Sequence, residues 1–183
     1  MIIPEITFKL KDERQAILRC PEISDTDGVL EYLVKTTYET DFLLRSPEEL
    51  DKYTYENEKN YLEKIISSKN ILMLLCVVDG KIAGNCQIDF MDHVKTAHRA
   101  KIGIALLSKY WNLGIGTKMF EVLIETARNR EGITQLELEY IEGNDRARAL
   151  YEKMGFRAVA VLPKMIKSKD GKLLSEIFMR YDL

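Results

Sequence analysis

The chain has 183 residues, 46% hydrophobic and 31% charged, with a formal net charge of −2, so it can bury one substantial core and is not a disordered chain. With both signs of charge interspersed there is no basic field to draw nucleic acid or an anionic membrane surface, and no window approaches the roughly 18 apolar residues of a membrane span. These limits lead us to expect a single cytoplasmic domain over residues 1–183, with no nucleic-acid or membrane partner and a small-molecule or peptide substrate.

From the start of the chain, Ile6 to Leu10 and Gln15 to Cys20 read as short strands around a polar Lys11-Asp12-Glu13 turn. Ser24 or Asp25 is suited to cap a helix that runs through Val29, Leu30, Leu33 and Val34 and ends near Thr40. Ser46-Pro47-Glu48-Glu49 combines a cap with proline at a first helical position, and Tyr55 to Ile66 is amphipathic through Tyr61, Leu62, Ile65 and Ile66. Ile71 to Val78 is a continuous apolar run, Asp79-Gly80 is hairpin chemistry, and Lys81 to Phe90 returns.

A third long strand, from Ala97 to Leu107, feeds a turn, Trp111-Asn112-Leu113-Gly114-Ile115-Gly116, after which Met119, Phe120, Leu123, Ile124 and Ala127 mark a helix face. Gln135 to Tyr140 alternates as a half-buried strand. Asn144 or Asp145 then caps a short helix stopped by Gly155, and the remainder reads as a terminal hairpin turning at Lys169-Asp170-Gly171. Cys20, Cys76 and Cys86 lack CxxC spacing and sit in strand-like runs, with only His93 and His98 as further soft ligands. They read as buried, reduced thiols and not as a metal site, a disulfide framework or a nucleophile.

The glycine turn carries the first chemical signal. A helix start offers unpaired N–H groups and the positive end of the helix dipole, and Gly114 and Gly116 leave room for phosphate to approach. A lone Gly-x-Gly is equally a tight packing turn. The turn lacks the Lys-Ser/Thr ending of a P-loop and the third glycine of a dinucleotide fingerprint, which weakens both nucleotide readings.

Downstream stands Asn144-Asp145-Arg146-Ala147-Arg148-Ala149-Leu150-Tyr151-Glu152-Lys153-Met154-Gly155-Phe156. Together with the turn it resembles the GNAT superfamily of N-acetyltransferases, which joins a strand, a glycine turn and a helix to a later Asn-x-x-Ala-x-x-Leu-Tyr-x-x-x-Gly-Phe segment. The resemblance covers Ile71 to Leu183, with Glu22 to Ser67 corresponding only as a helical region. It implies a GNAT-like α/β fold: a mixed, largely antiparallel, twisted sheet flanked by helices and splayed between the strands ending at Leu107 and Tyr140. It further implies acetyl-CoA as cosubstrate, with no metal. Backbone groups of Leu106 and Leu107 would pair with the pantetheine arm, Asn112, Leu113, Gly114, Ile115, Gly116 and Thr117 would wrap the pyrophosphate, Asn144 would contact the cofactor, and Tyr151 would lie near its sulfur. Trp111 departs from the arginine or glutamine commonest in the family there, so phosphate binding falls to the backbone.

Acetyl transfer requires an unprotonated amine to attack the thioester carbonyl. The N–H of Leu107 is the expected oxyanion donor, and Tyr151, with a reference pKa of about 10, is the expected acid for the leaving thiolate. Asp89, Glu137 and Glu139 are candidates to take the ammonium proton; Asp89 stands out inside the apolar Ile88-Asp89-Phe90, and the glutamates also fit a wetted strand face. The resemblance also implies that His98 and the segment Glu39-Thr40-Asp41-Phe42-Leu43 are candidates to shape the acceptor site, while Lys164, Lys167, Lys169 and Lys172 read as a solvated hairpin. The terminal hairpin and the family's habits suggest a homodimer. The expected function is N-acetylation of a primary amine (a small metabolite, amino acid, polyamine or protein N-terminus) in a ternary complex. The alternative is a non-catalytic acyl-CoA-binding sensor or interaction module, which would keep the turn and Asn144 but need no Tyr151.

Overall fold

The computed structural model describes residues 1–183. Its elements are β1 (Ile6–Lys9), β2 (Gln15–Arg19), α1 (Thr26–Glu39), α2 (Tyr55–Ser67), β3 (Ile71–Val78), β4 (Lys81–Phe90), β5 (Arg99–Leu106), α3 (Ile115–Arg128), β6 (Gln135–Ile141), α4 (Asp145–Lys153), β7 (Arg157–Lys167) and β8 (Leu173–Asp182). The strands form one sheet in the order β1-β2-β3-β4-β5-β6-β8-β7. Every pairing is antiparallel except β5 with β6. The apolar run of β3 is explained by its position: helices α1 and α2 pack on the β3–β4 half from one side and α3 packs on β4 and β5 from the other.

Two expected helix starts are corrected. Neither Ser24 nor Asp25 caps α1 by a side-chain hydrogen bond; Asp25 belongs to a 3-10 turn, Ile23–Asp25, where its carboxylate accepts from the Glu22 N–H and from Arg19 at 2.7 Å. Ser46-Pro47 opens only a 3-10 segment, Pro47–Lys52, and α2 begins later, capped by Thr54 accepting from Asn57 N at 3.2 Å. The Asp79-Gly80 hairpin forms as expected, both residues at positive φ (50° and 73°). The third long strand is shorter than expected, with Ala97, His98 and Leu107 outside it.

The sheet opens where the site will lie. β5 and β6 pair only through Arg99–Gln135, Ala100–Leu136 and Lys101–Glu137. Beyond these, β5 continues against β4 alone to Leu106 while β6 continues against β8 to Ile141. The expected splay between the central strands is thus present, and the polar edge of β5 beyond Lys101 has no partner strand. β7 forms the far edge of the sheet and leaves Val159, Val161 and Met165 exposed.

Candidate active site

The turn between β5 and α3 is an array of donors. None of the six consecutive backbone N–H groups from Asn112 to Thr117 meets an acceptor within the chain. The first three N–H groups of α3 have no carbonyl four residues behind them in the helix, and those of Asn112, Leu113 and Gly114 are left outside it. Gly114 is the N-cap at φ 96°, a conformation that a side chain disfavours. Gly116 is small for a different reason: a Cβ there would lie 2.9 Å from Leu150 Cδ2, so the glycine lets α4 approach the start of α3. The array and the positive end of a 14-residue helix face the same space.

The edge of β5 corrects one expectation. Leu107 N–H donates to the Ala83 carbonyl at 2.9 Å, so it is not free to serve as an oxyanion donor or to pair with an incoming arm. The reason is ladder parity: in the antiparallel pair β4–β5, alternate residues turn their N–H and C=O groups toward the neighbour, and the Leu107–Ala83 bond fixes which ones. Ile104 and Leu106 therefore direct their N–H groups to the opened side. The Leu106 carbonyl is taken by Trp111 Nε1 at 3.0 Å, which leaves the Leu106 N–H as its outward backbone group.

α4 meets this edge from the other side of the splay. Asn144 caps it, Oδ1 accepting from Ala147 N at 3.2 Å, and Nδ2 has no partner in the chain. Tyr151, in the last turn of α4, is 7% exposed, its ring packed against Phe120 and Tyr140 with centroids 5.4 and 6.0 Å away. Burial raises its pKa to about 12, and its hydroxyl bonds to no protein group. Sequence reasoning missed Arg146: its guanidinium lies over the Trp111 ring, 4.3 Å from the centroid, and donates from Nη1 to Asn112 Oδ1 at 3.1 Å. No local pattern could reveal a contact across a separation of 34 residues.

Three acidic candidates lie on one face near the apex of the splay, in different states. Glu137 accepts from Arg99 Nε at 3.0 Å, and Glu139 pairs with Lys101 at 2.8 Å. Asp89 sits opposite Lys101 across the ladder without touching it in an ion pair, and Gln87 Nε2 lies 2.9 and 3.0 Å from its two oxygens. Burial raises the Asp89 pKa, opposed by the Gln87 hydrogen bond and the Lys101 charge. Tyr61 donates to Gln87 Oε1 at 3.0 Å, linking α2 to this carboxyl.

His98 is not brought to the turn. It precedes β5 at the end opposite Asn112, roughly 25 Å away along the strand, and lines a separate cavity of about 430 Å³ with Arg99, Glu137 and Phe178. The end of α1 and the loop after it do approach the site region: Glu39 accepts from Ser108 N at 2.6 Å and Asp41 pairs with Lys169 of the terminal turn. Lys169 is therefore not simply solvated. Another concavity, of about 920 Å³, lies between Met1–Ile3 and the outer face of α3 and contains none of these groups. Cys76 and Cys86 are buried, with burial pushing the Cys76 thiol up to about 12, and no cluster of metal-ligating side chains occurs. No helix is long and apolar enough to cross a membrane.

Comparison with known proteins agrees with this architecture. The acetyltransferase (GNAT) family profile matches residues 33–156. An L-amino acid N-acetyltransferase, AaaT, of Escherichia coli (strain K12) is 26% identical over 125 residues, covering 68% of this chain and 76% of the relative. An acetyltransferase of the GNAT family from Streptococcus pneumoniae superposes with a TM-score of 0.83 at 28% identity, over 92% of this chain and 99% of that one. The yncA protein of Salmonella typhimurium, solved with its cofactor acetyl-CoA, superposes with a TM-score of 0.75 at 18% identity, over 92% and 94%. With the splayed sheet, the donor turn and the Asn144–Phe156 segment in one arrangement, the chain belongs to the GNAT family of acetyltransferases and is an N-acetyltransferase.

Proposed function

We propose that the protein is one catalytic domain that transfers the acetyl group of acetyl-CoA to a primary amine by direct attack in a ternary complex. The observation that carries the reading is the run of six unpaired N–H groups, Asn112 to Thr117, at the start of α3, suited to a pyrophosphate. The arm of the cofactor follows β5 as an added strand, meeting the outward N–H groups of Leu106 and Ile104, and one of these donors stabilises the oxyanion in place of Leu107. Asn144 Nδ2 donates to the cofactor while Oδ1 keeps its cap.

Asp89 takes the first ammonium proton. Its raised pKa brings it nearer to neutral pH, where a base is most effective, and neither Arg99 nor Lys101 is paired with it. The amine nitrogen then forms its bond to the carbonyl carbon, the C–S bond breaks, and Tyr151 gives its hydroxyl proton to sulfur. The second nitrogen proton restores Tyr151, and the first reaches solvent from Asp89. Products are the N-acetyl amine and CoA.

The name of the Escherichia coli relative makes free amino acids the first acceptors to test, and polyamines, other small amines and peptide N-termini complete the panel. Amine-dependent thiol release with a product heavier by one acetyl group is the expected result. Tight acetyl-CoA binding without amine-dependent release across the panel would instead identify a sensor module. The exposed edge of β7, with Val159, Val161 and Met165, is the surface through which we propose a homodimer.

Two variants separate the roles. Asn144→Ala loses about 1 kcal/mol of stability through the cap, whereas Asn144→Asp keeps an acceptor for Ala147 N and loses the Nδ2 donor. Denaturant midpoints and CoA affinity should therefore diverge in Asn144→Asp, with stability retained and affinity lowered; parallel losses would confine Asn144 to capping. In Asp89→Asn, turnover falls, and the deficit shrinks as pH rises toward the pKa of the amine. Its stability moves the other way. Because folding raises the Asp89 pKa from 3.8, the stability attached to this group is present below that value and is lost as pH rises through the folded pKa. A neutral asparagine avoids that loss, so the variant gains on the parent protein between acid and neutral pH in urea unfolding; a constant difference across pH would show that Asp89 does not titrate in that window.

A further inference from the structure

We infer that Arg146 is a side-chain phosphate ligand for the acetyl-CoA, held ready by Trp111. The inference rests on the reading of the turn 112–117 as the cofactor's phosphate site and extends it to a residue outside the turn. Arg14, Arg19, Arg99, Arg148 and Arg157 are each ion-paired with a carboxylate. Arg146, like Arg45, Arg128 and Arg130, has none, and its one hydrogen bond, from Nη1 to Asn112 Oδ1 at 3.1 Å, is what places it at the turn. The remaining guanidinium N–H donors are unspent beside the first of the six free backbone donors.

The guanidinium is also immobilised. It lies over the indole of Trp111, 4.3 Å from the ring centroid, and that indole is fixed in turn by the hydrogen bond from Nε1 to the Leu106 carbonyl. A planar fork stacked on a ring keeps its edge available for two parallel hydrogen bonds to a phosphate and has lost part of its rotamer freedom beforehand. Trp111 thus offsets its own lack of charge: where the resembling family most often has arginine or glutamine, this chain sets an aromatic platform and brings the cation from α4. The recognised group is a phosphate ester of the cofactor, either the pyrophosphate or the 3′-phosphate.

Trp111 is the single tryptophan, so emission excited selectively from tryptophan reports on this site alone. CoA titrated into the intact protein should change that emission, with affinity confirmed by calorimetry. Arg146→Gln is expected to bind CoA about tenfold more weakly or worse, in line with a charge-assisted hydrogen bond. The deficit should narrow at high salt, since the residue is exposed. Arg148→Gln, which breaks only the surface pair with Glu152, should bind as the parent does. Repetition with 3′-dephospho-CoA identifies the contact: a persistent deficit assigns Arg146 to the pyrophosphate and a vanished one to the 3′-phosphate, and both uphold the inference. Equal affinity of Arg146→Gln and the parent would overturn it while leaving the turn as the cofactor site. Absence of CoA binding to the parent protein would instead overturn the reading of the turn.

Discussion

Tyr151→Phe is expected to lower turnover by about a hundredfold, the lower range for loss of a positioned general acid, while leaving the affinity for acetyl-CoA nearly unchanged. The ring would still fill its place against Phe120 and Tyr140, so the variant isolates the hydroxyl. Since burial holds the Tyr151 pKa near 12, the hydroxyl stays protonated throughout the range in which amines become nucleophilic. Activity of the parent protein should therefore rise with pH as the acceptor deprotonates and show no fall attributable to Tyr151 below about pH 11. Steady-state kinetics at saturating acetyl-CoA across that range test both statements; unchanged kcat in Tyr151→Phe would remove the residue from the chemistry. The raised pKa also constrains the role proposed for Tyr151. Complete transfer to a free thiolate would be uphill, so donation must accompany C–S cleavage and be matched by proton loss from nitrogen.

Phe120→Ala should be the most damaging single truncation for the site's framework. Phe120 is 1% exposed, and its ring meets Tyr151 at 5.4 Å and Phe156 at 5.6 Å, joining α3 to α4 and to the turn that follows it. Removing a buried ring of this kind costs about 3–5 kcal/mol, which lowers Tm by roughly 10 °C for a chain of this size. Loss of the ring also frees Tyr151, so kcat at a temperature well below the new Tm should fall further than the population of folded protein explains. Phe120→Leu, which retains most of the volume, should recover most of the stability. A melting temperature within about 2 °C of the parent for Phe120→Ala would show that the surrounding side chains close the cavity.

Much of the fold could be read from the chain because local chemistry and tertiary demands agree. The apolar run 71–78, the Asp79-Gly80 pair and the alternation in 135–140 each state a period or a turn type that the surroundings need not override. Readings failed where two local solutions compete. Asp25 has a cap's side chain, but Arg19 and the Glu22 N–H claim its carboxylate first. Ser46-Pro47 has the form of a helix start, yet the segment closes after one 3-10 stretch and Thr54 starts the helix instead.

The contiguous parts of this enzyme are legible along the chain: a strand, a donor-rich glycine turn, a helix start, and a later segment holding Asn144 and Tyr151. Which of their atoms remain free depends on how the strands and helices pair in space. Pairing of β5 with β4 consumes the Leu107 N–H and turns that of Leu106 outward, a difference of one residue set by strand register and invisible in composition. In the same way, the acids of one sheet face are distinguished only by their neighbours: Arg99 and Lys101 occupy Glu137 and Glu139, while Asp89 has no ion pair and burial raises its pKa. Arg146 reaches Trp111 because Gly116 lets α4 close on the start of α3, and a helix-to-helix approach governed by one absent Cβ leaves no periodic trace in the chain.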